Sequence, residues 1–233
     1  MSSGYMVYML IGGVMTVIGM IISGRLKSKF AQYSQVPLRS GMSGAEVAAA
    51  MLKHYNINDV QITQGEGFLS DHYNPLNKTV SLSPDVYQGR NVAAAAVAAH
   101  ECGHAVQHAI GYSMLKFRSA MVPVVKVAAG AQQFLMIFAL GMAGSSGNPT
   151  LLLITIAVFG VTTLFSMVTL PVEFDASRRA LAWLDQTGVA QGAEYDGAKD
   201  ALKWAAMTYV AAALSALVTF LYLVLRFMGS SRD

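Results

Sequence analysis

This sequence is short of two things, charge and cysteine. Only 12% of its 233 residues are Asp, Glu, Lys or Arg, whereas 54% are hydrophobic. A soluble domain carries about 25% charged residues. Half that supply does not coat a globule of this size, which argues against an ordinary cytosolic enzyme. The same shortage of polar residues excludes a disordered chain. A single cysteine, Cys102, rules out an internal disulfide and any metal site built from a cysteine cluster. The net charge of +3 is too small and too scattered to suggest a nucleic-acid partner. What remains is a membrane protein with a modest water-facing part.

Long apolar runs fill the gap. A helix needs about 20 apolar residues to cross a bilayer, because lipid offers no water to an unpaired backbone. Residues 5–23, 150–170 and 205–225 meet that length without a charge. A fourth run, 121–142, contains Lys126, Gln132 and Gln133. Its lysine lies near one end, where a long side chain snorkels to the headgroups. The alternative for this run is a long buried helix lying on the membrane domain.

The first run is followed, not preceded, by Arg25, Lys27 and Lys29. A cleavable signal peptide has its basic residues first, so this run reads as an uncleaved anchor. Nine Lys/Arg fall in 25–118 and four in 178–203, against none in 1–4, none in 143–149, and Arg226 and Arg232 at the tail. The positive-inside bias then places both long polar segments in the cytoplasm and both termini outside. The expected division is a span in 1–24, a cytoplasmic unit in 25–120, two spans in 121–171, a second cytoplasmic segment in 172–204, and a last span and tail in 205–233.

The larger polar segment reads as a small α/β unit. Ser43 and Glu46 have capping-box spacing, so 45–55 is expected to be a helix with Val47, Met51 and Leu52 on one side. Val60 and Ile62, then Val80 and Leu82, alternate with polar residues as strands do. Asn74-Pro75-Leu76-Asn77 is turn chemistry. Asn91 is a fitting N-cap for a long alanine-rich helix over 92–110 that stops at Gly111. The 79–83 strand is a minor candidate for receiving an extended peptide as an added strand.

That long helix contains His100-Glu101-Cys102-Gly103-His104. Residues four apart share a helix face, so both imidazoles lean onto one ion. Glu101 sits a third of a turn away, beside the metal, where its carboxylate serves as general base and proton shuttle. With five His and five Glu in the chain, this three-residue pattern arises in roughly 0.2% of shuffles, which makes the motif specific. The bland alternative is two surface histidines on an alanine-rich helix. Gln107 and Ile110 occupy the later positions at which a metzincin has its Gly and His, which excludes that class. His108 continues the face of the two histidines, but eight helical residues span about 12 Å. It is therefore expected to be structural or to support the site from outside. The third ligand must come from elsewhere, and Glu173, directly after the third apolar run, is the best candidate; Asp175 and Glu194 follow. Cys102 points away from the histidine face and reads as filler. His72, with Tyr73 and Arg178 behind it, is a candidate for stabilising an oxyanion.

Taken with Asp71-His72-Tyr73-Asn74-Pro75 and Pro171-Val172-Glu173-Phe174-Asp175-Ala176-Ser177, the approach to His100 resembles the YugP-type neutral zinc metallopeptidases of bacterial membranes over nearly the whole chain. It is also distantly similar to the gluzincin-like HtpX and CAAX-prenyl protease families, whose distal motif is Glu-x-x-Ala-Asp. Here Ala176 matches and Ser177 stands in place of the Asp. The resemblance implies a mainly α, polytopic protein with four transmembrane helices and a small zincin-like cytoplasmic unit carrying the metal helix. It implies a zinc-dependent endopeptidase (a hydrolase) acting on peptides or membrane proteins at the bilayer. A catalytically silent, zinc-clamped scaffold or chaperone is the alternative. A transporter is disfavoured, because the three clean runs hold no charge to form an ion path.

Overall fold

The computed structural model describes residues 3–67, 70–141 and 149–230. Residues 1–2, 143–148 and Arg232, which enter the charge asymmetry above, lie outside the described residues. In chain order the elements are α1 (Ser3–Ser34), α2 (Gly44–His54), β1 (Gln61–Gln64), β2 (His72–Asn74), β3 (Thr79–Leu82), α3 (Pro84–Gln88), α4 (Val92–Ala109), α5 (Ser113–Gly141), α6 (Pro149–Gln186) and α7 (Ala193–Ser230). Among the described residues four stretches are long and apolar enough to cross a membrane: Met6–Ser34, Ser113–Phe138, Thr150–Gln186 and Ala193–Gly229. The run containing Lys126 is among them. Only 11% of its apolar window is buried, so it is not a core helix.

The chain forms two compact units. One comprises Met1–Ile22, Phe117–Leu170 and Thr208–Asp233. Its small buried cluster of Met136, Leu152, Phe159 and Leu223 is flanked by Tyr8 and Phe220. Leu10, Val127 and Phe134 face outward and are each about two-thirds or more exposed. Water would penalise that arrangement, and a hydrocarbon surround does not. Hydroxyls inside the spans are spent on backbone: Thr155 donates to Leu151 O and Thr169 to Phe165 O at 2.8 Å, and Thr163 reaches Ala216 O across helices. Such bonds keep polar groups satisfied where no water is available.

The other unit comprises Ser23–Lys116 and Pro171–Met207. Its core gathers Val47, Met51, Leu82, Val86, Val92, Trp183 and Leu184 around the alanine face of α4. α2 begins with the expected capping box: Ser43 Oγ accepts from the Glu46 amide, and Glu46 Oε2 accepts from the Ser43 amide. β3 is the middle strand, parallel to β1 and antiparallel to β2. The 79–83 segment is therefore covered on both sides by its own chain, which overturns the idea that it receives a peptide. The open edges belong to β1 and β2.

Three further features depart from the sequence reading. β2 is a strand, although its three residues offer no apolar alternation. α3 forms a short helix after Ser83, starting at Pro84, where a missing N–H costs nothing. α6 continues through Pro171 without ending, for 38 residues. At 1.5 Å per residue it is about 57 Å long, nearly twice the thickness of the hydrocarbon core. The third span and the polar segment that follows it thus belong to one continuous helix.

Candidate metal centre

α4 is fixed at its start. Asn91 Oδ1 caps the helix by accepting from the Ala94 amide at 2.9 Å. Backbone bonds from Leu38 N to Arg90 O and from Val92 N to Val36 O pin the preceding chain to the segment that follows α1. Small residues then bring α4 close to its neighbours. Cys102 Sγ packs on the Ala48 carbonyl of α2 at 3.6 Å. On another side, Gly103 lies against the backbone of Ala176 in α6. Ala176 is three residues after Glu173, so this contact brings the Glu173 face of α6 over the histidines.

His100, His104 and Glu173 each present a ligand atom into one cluster. His100 Nε2 lies 3.3 Å from Glu173 Oε2, and His104 Nε2 lies 3.5 Å from the same oxygen. The two imidazoles meet edge to face, with centroids 4.9 Å apart. Tetrahedral coordination with bonds of about 2.0–2.1 Å places neighbouring ligand atoms about 3.3–3.4 Å apart, so both separations match the edge of such a tetrahedron. Glu173 is 2% exposed and His104 is 7% exposed. The three side chains are positioned to bind a metal ion, and two imidazoles with one carboxylate form a donor set suited to zinc.

The far ring nitrogens explain how the imidazoles are aimed. Gln107, fully buried, donates from Nε2 to Val172 O at 2.8 Å and to Asp175 Oδ2 at 2.9 Å. Both of those atoms only accept, so the amide oxygen must face His104. That oxygen lies 3.0 Å from His104 Nδ1. Nδ1 therefore carries the proton and Nε2 offers its lone pair to the cluster. Ser177 Oγ lies 3.1 Å from His100 Nδ1 and holds the orientation of the other ring. The position at which the distant families have an Asp thus still supports a histidine, through a hydroxyl.

The remaining candidates separate cleanly. Asp175, the fallback ligand, is not in the cluster. It accepts from Gln107, from Arg179 Nε at 2.6 Å and from Arg178. Glu194 accepts from the Arg39 amide and pairs with its guanidinium. His108 is occupied by Tyr73, whose hydroxyl lies 2.7 Å from Nδ1; burial pushes the Tyr73 phenol up to about 12. His72 is exposed, with Nδ1 2.8 Å from Ser70 O. Cys102 is fully buried, and burial, helped by the nearby Glu101 charge, pushes its thiol well above the ordinary range. Glu101 is 8% exposed on the same helix.

Sequence reasoning missed Gln107 as a positioning residue. The signal was present in its spacing, since a residue three after His104 shares the histidine's face.

A mainly helical membrane protein in which His100 and His104 of one helix meet Glu173 of another, positioned to bind a metal ion, has the architecture of a membrane-bound metalloprotein. Residues 8–228 match the family described as "Putative neutral zinc metallopeptidase", and the chain belongs to that family. It is 40% identical over 205 residues to "Putative membrane protease YugP" of Bacillus subtilis (strain 168), covering 88% of this chain and 89% of that protein. No solved structure matches the chain.

Proposed function

We propose that the protein is a membrane-embedded zinc endopeptidase that hydrolyses peptide bonds at the cytoplasmic surface of the bilayer. In this reading His100, His104 and Glu173 hold the metal, and Glu101 is the catalytic base. The observation that carries it is the pair of 3.3 and 3.5 Å separations to Glu173 Oε2, from histidines whose other nitrogens are already engaged.

A zinc ion at this cluster would polarise the scissile carbonyl and lower the pKa of an attacking water toward about 7. The chain's own residues do the rest. Gln107 keeps the His104 imidazole in one tautomer, and Ser177 holds the orientation of the His100 ring. The Glu101 carboxylate accepts a proton from the attacking water as its oxygen bonds to the carbonyl carbon. It then delivers that proton to the amine nitrogen as the C–N bond breaks. A purely structural clamp needs no such base, and a carboxylate only 8% exposed is costly to keep without a use.

Glu173 lies three residues past the apolar 150–170 run, about 4.5 Å along the same helix. That placement supports cleavage near the lipid surface and favours membrane proteins, or peptides delivered along the bilayer, as substrates. The basic residues of 25–120 and 172–204 support the cytoplasmic side.

The test uses purified protein in detergent, a generic peptide library and metal analysis. Wild type should cleave in a chelator-sensitive manner. Glu101→Gln should retain zinc and lose about 10²–10⁴-fold in rate, whereas Glu173→Gln should lose zinc and activity together. Full turnover by Glu101→Gln, or undiminished zinc in Glu173→Gln, would overturn the assignment.

A further inference from the structure

We propose that the groove between the end of α6 and the beginning of α7 binds an anionic phospholipid. This proposal rests on the chain being a membrane protein and not on its being a peptidase. The groove, about 420 Å³, has an apolar floor that includes Leu181, Ala206 and Met207, and three cations line it: Arg178, Lys199 and Lys203. No acidic side chain lines it. Arg178 is bonded to Asp175, yet its side chain remains 76% exposed. Among the described residues neither lysine makes an ion pair. Lys199 and Lys203 are also one turn apart on the same face of α7, and Asp200, whose carboxyl Lys29 and, less strongly, the Lys203 charge hold low, does not line the groove.

Position along the helices selects the class of anion. Phe174 and Arg178 are four and eight residues beyond the apolar 150–170 run, about 6 and 12 Å along α6. Lys203 and Lys199 lie about 3 and 9 Å before the 205–225 run on α7. Headgroup layers add several ångströms on each side of the hydrocarbon, and long cationic side chains extend toward them along apolar stems. The cations thus stand at phosphate depth, and on their membrane side Phe174, Ala206 and Met207 continue the apolar lining toward the acyl chains. Free phosphate would satisfy the cations but leave that floor bare, and a zwitterionic lipid would bring its own positive charge beside them. A phosphodiester carrying acyl chains and net negative charge fits both features. Ser177, which holds His100, forms part of the same wall, so an occupant of the groove would border the metal cluster.

The experiment uses the full chain in bicelles containing equal phosphatidylglycerol and phosphatidylcholine, followed by native mass spectrometry of retained lipid. Wild type should retain phosphatidylglycerol about tenfold over phosphatidylcholine. At roughly fivefold per surface cation, Lys199→Gln/Lys203→Gln should abolish that tenfold preference. Lys199→Arg/Lys203→Arg should restore it, and the charge-matched Lys27→Gln/Lys53→Gln should leave it intact. Equal retention of the two lipids, or an equal loss in the charge-matched control, would overturn the proposal. So would displacement of phosphatidylglycerol by millimolar inorganic phosphate, or preferential retention of an acidic peptide.

Discussion

A Cβ placed on Gly103 would stand 2.6 Å from the carbonyl oxygen of Ala176. This backbone-to-backbone approach between α4 and α6 sets the distance at which Glu173 meets the two histidines. Replacing Gly103 by Ala gains about 1 kcal/mol in helix propensity, but forcing a methyl into closed packing typically costs 1–3 kcal/mol. The steric cost should win. Gly103→Ala is expected to bind less zinc and to melt at lower temperature in detergent. Unchanged zinc stoichiometry would show that the approach is not what sets the site.

Gln107 aims His104, so its loss should be felt at the metal and not as wholesale unfolding. In Gln107→Leu, His104 Nδ1, Val172 O and Asp175 all lose a partner inside the fold. Zinc affinity should fall about 10–100-fold, as when other outer supports of a metal-binding His are removed. Competition against a coloured chelator measures this, with circular dichroism confirming that the helices persist.

The Tyr73–His108 pair gives an alkaline signature. The phenol ionises near 10 in an unfolded chain and at about 12 in the folded protein, because burial disfavours the tyrosinate. Its contribution to stability is therefore complete below pH 10 and is lost as pH rises from 10 toward 12. Thermal melts across that range should fall more steeply for wild type than for Tyr73→Phe, which in turn should be the less stable at pH 7 because it lacks the bond to His108. Parallel curves would place the phenol in water.

Cys102 should be chemically silent. It is fully buried and its thiol is pushed up by that burial, and only the thiolate reacts. Iodoacetamide should leave the native protein unlabelled over a time in which denatured protein reacts completely. Mass spectrometry distinguishes the two, and rapid native labelling would mean that α4 and α2 separate.

Much of this was legible in the sequence wherever a local signal coincided with packing. Ser43 with Glu46 and Asn91 with Ala94 mark their helices because a cap is a short-range device. The metal helix was legible because a four-residue spacing is a statement about one face. Glu173 could be named from its place at the end of an apolar run.

The elements that escaped are those decided by distant partners. His72–Asn74 becomes a strand only because β3 offers it a ladder. Pro171 reads as a stop, yet α6 passes through it. Asp175 looked like a possible ligand because nothing in one dimension shows Arg178, Arg179 and Gln107 engaging it first. Ser177 looked like a lost carboxylate until its hydroxyl was found beside His100.

The supports behind the two imidazoles are a hydroxyl and an amide, groups that neither donate nor withdraw formal charge. With one carboxylate among the three ligands, a divalent cation held there would keep a surplus of +1. A carboxylate behind either ring would have softened that surplus by making the nitrogen more basic. Behind rings held only by a hydroxyl and an amide, a bound divalent cation would be electron-poor and relatively loosely gripped, a bias toward Lewis acidity at the expense of retention when competing protons or chelators are present.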